Sequence, residues 1–285
     1  MKNTNSRKIV VSLLITTLFF IIQITGALIS GSISLFADSI HMVTDIGAIS
    51  IALFASILSQ KPANYNKTFG YIRAEILASL FNGTLLWIAV FFIIKGSLER
   101  IRTKSIPNLD IMLIFATIGL VANIISAVNL YSGKKNLNIK AALFHALSDA
   151  LSSCLVIITA ISSKISNFQY ADPLAAILIT LFILINSILI VKNAVDVLME
   201  SVPKNIKVEE VIESVNKVPG VKDIHDLHIW TLSPGLDCMS CHISVDTPDK
   251  SEEMIARISD KLRNFGIKHI TIQIERECRT PHIHT

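Results

Sequence analysis

The chain has 285 residues, 51% of them hydrophobic and 17% charged, with a mean hydropathy of +0.57. That balance is too apolar for an ordinary soluble domain and directs attention to runs of about 18 or more apolar residues, the length that crosses a bilayer as a helix. The net charge of +4 is modest and no basic stretch is interleaved with aromatics, so no nucleic-acid partner is expected.

In chain order, residues 9–37 carry no charge. Arg7 and Lys8 precede them in the manner of a signal peptide. The run is longer than a signal core and lacks an A-x-A-like cleavage site, so a retained first helix is expected. The second apolar run, about 35–58, reads "LFADSIHMVTDIGAISIALFASIL" and places Asp38, His41 and Asp45 in its first half. "TFGYIRAEI" follows, with Arg73 and Glu75 at the start of a third helix. They read as membrane-edge anchors, with an interface ion pair or a residue of the transport path as the alternative. Residues 76–94, 111–133 and 173–191 are charge-free. A fifth run, about 141–163, is apolar but contains His145 and Asp149. Six membrane-spanning helices are expected, with Asn82, Asn123 and Asn129 as hydrogen-bonding glue between them.

Lys and Arg in the short loops set the orientation. With the N-terminus inside, inner segments carry Lys2, Arg7, Lys8, Lys61, Lys67, Arg73, Lys134, Lys135 and Lys140. Outer loops carry Lys95, Arg100, Arg102, Lys104 and Lys164. The bias places both termini in the cytoplasm of a multi-pass integral membrane protein, with a cell membrane as the expected location.

Two of the runs share a spacing. "HMVTD" at 41–45 and "HALSD" at 145–149 are both His-x-x-x-Asp. Residues four apart stand one turn above each other on one helix face. Two such helices face to face would gather His41, Asp45, His145 and Asp149, two imidazoles and two carboxylates, a set suited to tetrahedral Zn²⁺. A lone polar group in a membrane helix can serve as packing glue. A pattern that occurs twice, each time with a carboxylate at membrane depth, points to ion handling. Asp38 could line the same path or sit at the interface. Because ligands must be deprotonated to bind metal, protons compete for such a site. If it opens alternately to each side, a proton gradient can drive metal across. Two other readings compete: an intramembrane metalloenzyme and a membrane-bound metal sensor. Catalytic zinc needs an open position and a base. There is no His-Glu-x-x-His motif, and Asp38 is the one spare base on these helices.

"GSISLFADSIHMVTDIGAISIALFA", "KTFGYIRAEILASLFNG", "LFHALSDALSS", "HDLHIWTLS" and "ITIQIE" occur in that order. Together they resemble the cation diffusion facilitator family of the zinc-transporting kind. The resemblance implies a homodimer, not an enzyme, that exports divalent metal from the cytoplasm in exchange for protons. It implies a transport site on the second and fifth helices, here His41, Asp45, His145 and Asp149. Imidazole in that set suits zinc over manganese or magnesium. Cadmium and cobalt are further candidate substrates, and no prosthetic group is expected.

The expected division is a transport domain over 1–202 and a cytoplasmic domain over 203–285. In the latter, a helix at about 206–218 precedes strands at about 221–232 and 239–246, joined by the turn "SPGLD". A second helix over about 249–265 leads to "ITIQIE", whose Ile270, Ile272 and Ile274 face a core. The resemblance implies a ferredoxin-like αββαβ fold, similar to a small metallochaperone, and regulatory Zn²⁺ at His225, His242 and Glu275. Alternation puts His269 on the same face as Glu275 and adds it to the candidates. His228 falls on the opposite face from His225 by simple alternation and reads as structural. Cys238 and Cys241 of "CMSC", with Cys278, His282 and His284 of the tail, are a candidate soft zinc site.

Overall fold

A computed structural model describes residues 17–58, 61–131, 137–245 and 251–276. The chain forms two compact units. One takes residues 1–54 and 79–191, the other residues 55–78 and 192–285.

The first unit is helical. α1 covers Thr17–Ser30, α2 Ile33–Leu58, α3 Ala74–Thr103, α4 Leu109–Tyr131, α5 Leu137–Ser166 and α6 Ala171–Leu198. The charge-free run 9–37 is therefore not one helix. It breaks at Gly31, whose φ of +66° is a conformation that a side chain would strain.

The start of α2 is built around Asp172, which lies in the first turn of α6 and is buried. Its carboxylate accepts the backbone N–H groups of Ile33 (2.9 Å) and Ser34 (3.1 Å) and the hydroxyls of Ser32 and Ser34, both at 2.6 Å. Arg100 Nη1 of α3 stands 3.2 Å from the same carboxylate and also donates to the Gly31 carbonyl. A carboxylate at a helix N-terminus satisfies orphan donors and favours the helix dipole.

Small residues bring the helices close, as packing in a bilayer requires. A Cβ on Gly26 of α1 would lie 2.2 Å from the Phe115 ring of α4, and one on Gly83 of α3 would lie 2.7 Å from Val191 of α6. Ala37, Ala116, Ala160 and Ala176 are buried beside Leu35, Met112, Val156 and Ile183. Large apolar residues such as Leu28, Phe81, Phe91 and Leu151 point outward, as they do when lipid is the solvent. Among the described residues, four helical stretches are long and apolar enough to cross a membrane: Ala74–Thr103, Leu109–Val128, Ala146–Ser166 and Ala171–Leu198. Thr17–Ser30 and Ile33–Thr44 are shorter apolar stretches.

In the second unit, α7 (Val208–Asn216) precedes β1 (Val221–Ser233) and β2 (Leu236–Val245). α8 (Ser251–Asn264) then leads to β3 (Ile267–Glu275). The expected element order stands. The hairpin turn is tighter than "SPGLD", since Leu236 already pairs with Ser233 across Pro234 and Gly235. β1 and β2 are antiparallel, β2 and β3 parallel, in the order β1-β2-β3. Parallel neighbours need a crossover, and α8 supplies it. Val211 and Val215 of α7 and Ile258 and Leu262 of α8 pack with Met239, Cys241, Ile243 and Val245 of β2. Ile270, Ile272 and Ile274 join that core, as alternation predicts.

Arg73 is paired rather than a free anchor: its Nη2 lies 2.8 Å from Glu200 Oε1 within this unit. The preceding turn is closed by the Asn64 side chain, which accepts the N–H groups of Asn66 and Lys67.

Candidate metal centres

In the first unit, α2 and α5 bring His41 and Asp149 together, with Nδ1 3.9 Å from Oδ1. They line a cavity of about 400 Å³ with Asp38, Ser148, Ser152 and apolar residues of α5 and α6. The remaining members of the predicted set, Asp45 and His145, stand one turn away on α2 and α5. Their side chains lie outside the described residues. Asp38 is buried and lines the cavity; it accepts the Ser152 hydroxyl and accepts Gln23 Nε2 at 3.3 Å. An imidazole and carboxylates in a mostly apolar cavity can hold a dehydrated divalent cation that would find no partner in hydrocarbon.

The second unit gathers His225, His242 and Glu275. One ligand atom from each lies within 4.8 Å of the others. His225 Nε2 is 3.4 Å from Glu275 Oε2, and His242 Nδ1 is 3.2 Å from Glu275 Oε1. His225 is buried, so the group is not a solvated surface cluster. The register explains the meeting: His225 pairs with His242 across β1 and β2, and β3 brings Glu275 alongside Ser244. Two imidazoles and a carboxylate within a few ångströms fit a Zn²⁺-type donor set.

Two expectations here are corrected. His269 is not part of the group. It shares a face with Glu275 but lies six residues earlier on β3, about 20 Å along the strand. Its ring instead stands edge-on to Phe69, with centroids 5.8 Å apart. His228 is on the same face as His225, not the opposite one. His225 pairs with His242 and His228 with Ser240, so three steps on β1 match two on β2. The extra residue is absorbed at a bulge, where Asp226 adopts a φ of 48°. The bulge also aims Asp226 at the site, with its carboxylate 3.6 Å from His242 Nε2 and 3.2 Å from His228 Nε2. Asp226 was not among the predicted residues. Its signal was present: Ile224, Leu227 and Ile229 change parity midway through a strand, which an undistorted strand cannot do.

The "CMSC" pair is not a chelate. Cys238 and Cys241 are three apart on a strand and point to opposite faces, with Cys241 in the core. Burial pushes the Cys241 thiol up to about 12 and raises Cys238 as well. Cys278, His282 and His284 lie outside the described residues. Cys241 is a neutral thiol at every physiological pH, and the thiolate is the reactive form. It will therefore resist alkylation in the folded protein at pH 8 and react only after denaturation. Mass spectrometry of iodoacetamide-treated samples checks this, and stoichiometric labelling of the native protein would contradict it.

The family model for the cation efflux transmembrane domain matches residues 9–199, and that for the cation efflux protein cytoplasmic domain matches residues 203–277. The chain belongs to the cation efflux family. Members of this family are transporters, not enzymes. Among curated relatives, the cadmium, cobalt and zinc/H(+)-K(+) antiporter of Bacillus subtilis is 37% identical, covering 97% of this chain and 91% of that one. The metal cation efflux system protein CzcD of Cupriavidus metallidurans is 36% identical over 95% of this chain and 87% of its own length. The zinc transporter ZitB of Escherichia coli is 32% identical over 99% and 92%. A solved structure, the metal-bound C-terminal domain of the CzcD transporter from Cupriavidus metallidurans, is 36% identical. It covers 25% of this chain and 99% of that one, at a TM-score of 0.24.

Proposed function

We propose that this cation efflux protein exports Zn²⁺ from the cytoplasm in exchange for protons, through a site formed by His41, Asp45, His145 and Asp149. The observation that carries the reading is the approach of His41 to Asp149 across two helices, inside a mostly apolar cavity. Relatives whose names include zinc, cadmium, cobalt and protons support it. In this reading six helices span the membrane, and residues 1–202 form the transport domain. Both termini face the cytoplasm of a cell membrane. Residues 203–285 form a ferredoxin-like domain through which two copies associate.

The chemistry follows from the ligands. Metal entry requires ionised Asp45 and Asp149 and neutral His41 and His145, so binding releases protons and protonation releases metal. Cadmium and cobalt fit the same donor set, whereas magnesium and manganese prefer oxygen alone. Exchange of His41 for Asp keeps a fourth ligand on the same face and replaces nitrogen by oxygen. Uptake of zinc, cadmium and manganese by reconstituted His41→Asp should shift the metal order toward manganese. A folded variant with the wild-type metal order would remove His41 from the site.

The cytoplasmic group His225, His242 and Glu275 binds regulatory Zn²⁺ in this reading. Asp226, 3.6 Å from the second ring nitrogen of His242, stands where carboxylates commonly stand behind metal-bound histidines. The double variant His225→Ala, His242→Ala, made in an Asp149→Ala background to silence the transport site, should lose zinc affinity by more than ~100-fold. That exceeds what loss of an outer partner alone does. Calorimetry of the detergent-purified chain measures it, and unchanged affinity would remove the regulatory site while leaving the transport reading intact.

A further inference from the structure

Asp38 of α2 and Ser152 of α5 make a second contact between the two helices that carry the candidate transport site. The Ser152 hydroxyl donates to Asp38 Oδ1. His41 lies three residues on along α2, and Asp149 three residues back along α5, and that pair meets at 3.9 Å. Residues three apart share a helix face. The two contacts are therefore neighbours, about 4.5 Å apart along helices that run in opposite senses. One more turn in the same directions leads to Asp45 and His145. The Asp38–Ser152 hydrogen bond thus belongs to the register in which all four predicted ligands would face one another.

The other carboxylate oxygen is held from a third helix. Gln23 of α1 donates from Nε2 to Asp38 Oδ2 at 3.3 Å. Gly119 of α4 leaves the space in which Gln23 lies, since a Cβ there would stand 2.5 Å from Nε2. Gln23 is 1% exposed, and its carbonyl Oε1 has no hydrogen-bond partner among the described residues. Gln23, Asp38, His41, Asn123 and Asp149 help to line a chamber of about 20 Å³ beside the large cavity. It has room for one water. A buried carbonyl needs a donor, and a water there supplies it from a place that also borders His41 and Asp149.

We propose that Gln23 and Ser152 are positioning residues of the transport site. They clamp Asp38 between α1 and α5, and the clamped Asp38 fixes the α2–α5 register at which His41 and Asp149 meet the metal ion. The inference rests on the transport reading of that cavity. Neither residue needs to touch the ion. Partners behind metal ligands act by orienting them, and their loss commonly costs about 10–100-fold in metal affinity or activity. Packing glue would stabilise a bundle wherever it stood. This clamp stands one turn from the metal pair and borders the same chamber, so its loss shows in metal affinity and geometry.

Two readouts test it. Zinc uptake by the full chain in vesicles gives KM and kcat. The visible absorption of bound Co²⁺ reads ligand geometry without transport, in detergent-purified full chain whose cytoplasmic group is silenced by His225→Ala and His242→Ala. Gln23→Met keeps the side chain's length and removes both polar atoms. It should raise KM for zinc about 10–100-fold, with a smaller change in kcat. Ser152→Ala should act in the same direction, and Ser152→Thr, which keeps the hydroxyl, should restore the wild-type KM. Gln23→Met and Ser152→Ala should also weaken the tetrahedral cobalt bands that Asp149→Ala removes. Wild-type KM and cobalt bands in both Gln23→Met and Ser152→Ala, or equal defects in Ser152→Ala and Ser152→Thr, would overturn the proposal. If Gln23→Met does not fold, the Ser152 pair decides. Failure of the transport reading shows separately: the wild type then moves no zinc, and Asp149→Ala leaves the cobalt bands unchanged.

Discussion

Asp149→Ala is expected to abolish zinc flux in reconstituted vesicles while the protein still inserts and folds. In the proposed site the variant would leave three ligands of four and open the space beside His41, which Asp149 approaches to 3.9 Å. Four-ligand zinc sites in peptides bind with about 10–16 kcal/mol, so one ligand in four carries roughly 3 kcal/mol, or about two orders of magnitude in affinity. On the proposed mechanism the loss would also unbalance the proton count, because one of the two carboxylates assigned to exchange metal for protons is gone. Asp45→Ala should behave in the same way. Uptake of radioactive zinc by monodisperse variant protein is the measurement, and near-normal flux from Asp149→Ala would sink the site assignment.

Asp172→Ala should be the most destabilising single change in the helical unit. It orphans two backbone N–H groups, two hydroxyls and the Arg100 guanidinium at once, all around a buried carboxylate. Removing one partner of a buried ion pair costs ~3–5 kcal/mol. At about 2–4 °C per kcal/mol for a domain of this size, the apparent Tm should fall by roughly 10 °C. Arg100→Ala should cost less, because Arg100 is partly exposed and its loss leaves the four other donors satisfied. Thermal unfolding in detergent, followed by size-exclusion chromatography, ranks the two. Equal stability of Asp172→Ala and wild type would show that the cap of α2 contributes nothing.

What could be read from the sequence depends on the range of the interaction. The helical approach of His41 and Asp149 follows from two copies of one local spacing. The core face of β3 follows from alternation. The break at Gly31 was invisible to hydropathy, because a glycine that ends one apolar helix and starts another changes the charge pattern not at all. Asp172 reads locally as an acid before a proline at the start of a charge-free run. Its role comes from Ser32 and Ser34, far away in the chain. Alternation assigns His269 its face correctly, but parity says nothing of distance along a strand. For His228 the parity itself changed, because one extra residue at Asp226 inverts every face assignment beyond it. The same bulge delivers Asp226 to the metal group, so the departure from the regular pattern lies at the candidate site itself.

The most direct test of the central claim is simultaneous recording of zinc and protons in vesicles containing the full wild-type chain, acidic inside and with zinc added outside. The account predicts zinc uptake coupled to alkalinisation of the lumen. When an ionophore collapses the proton gradient, zinc uptake should fall to what the zinc gradient alone drives and the net alkalinisation should vanish, and both should be absent with Asp149→Ala. Zinc entry with no accompanying proton movement, or equal movement in the Asp149→Ala vesicles, would contradict it.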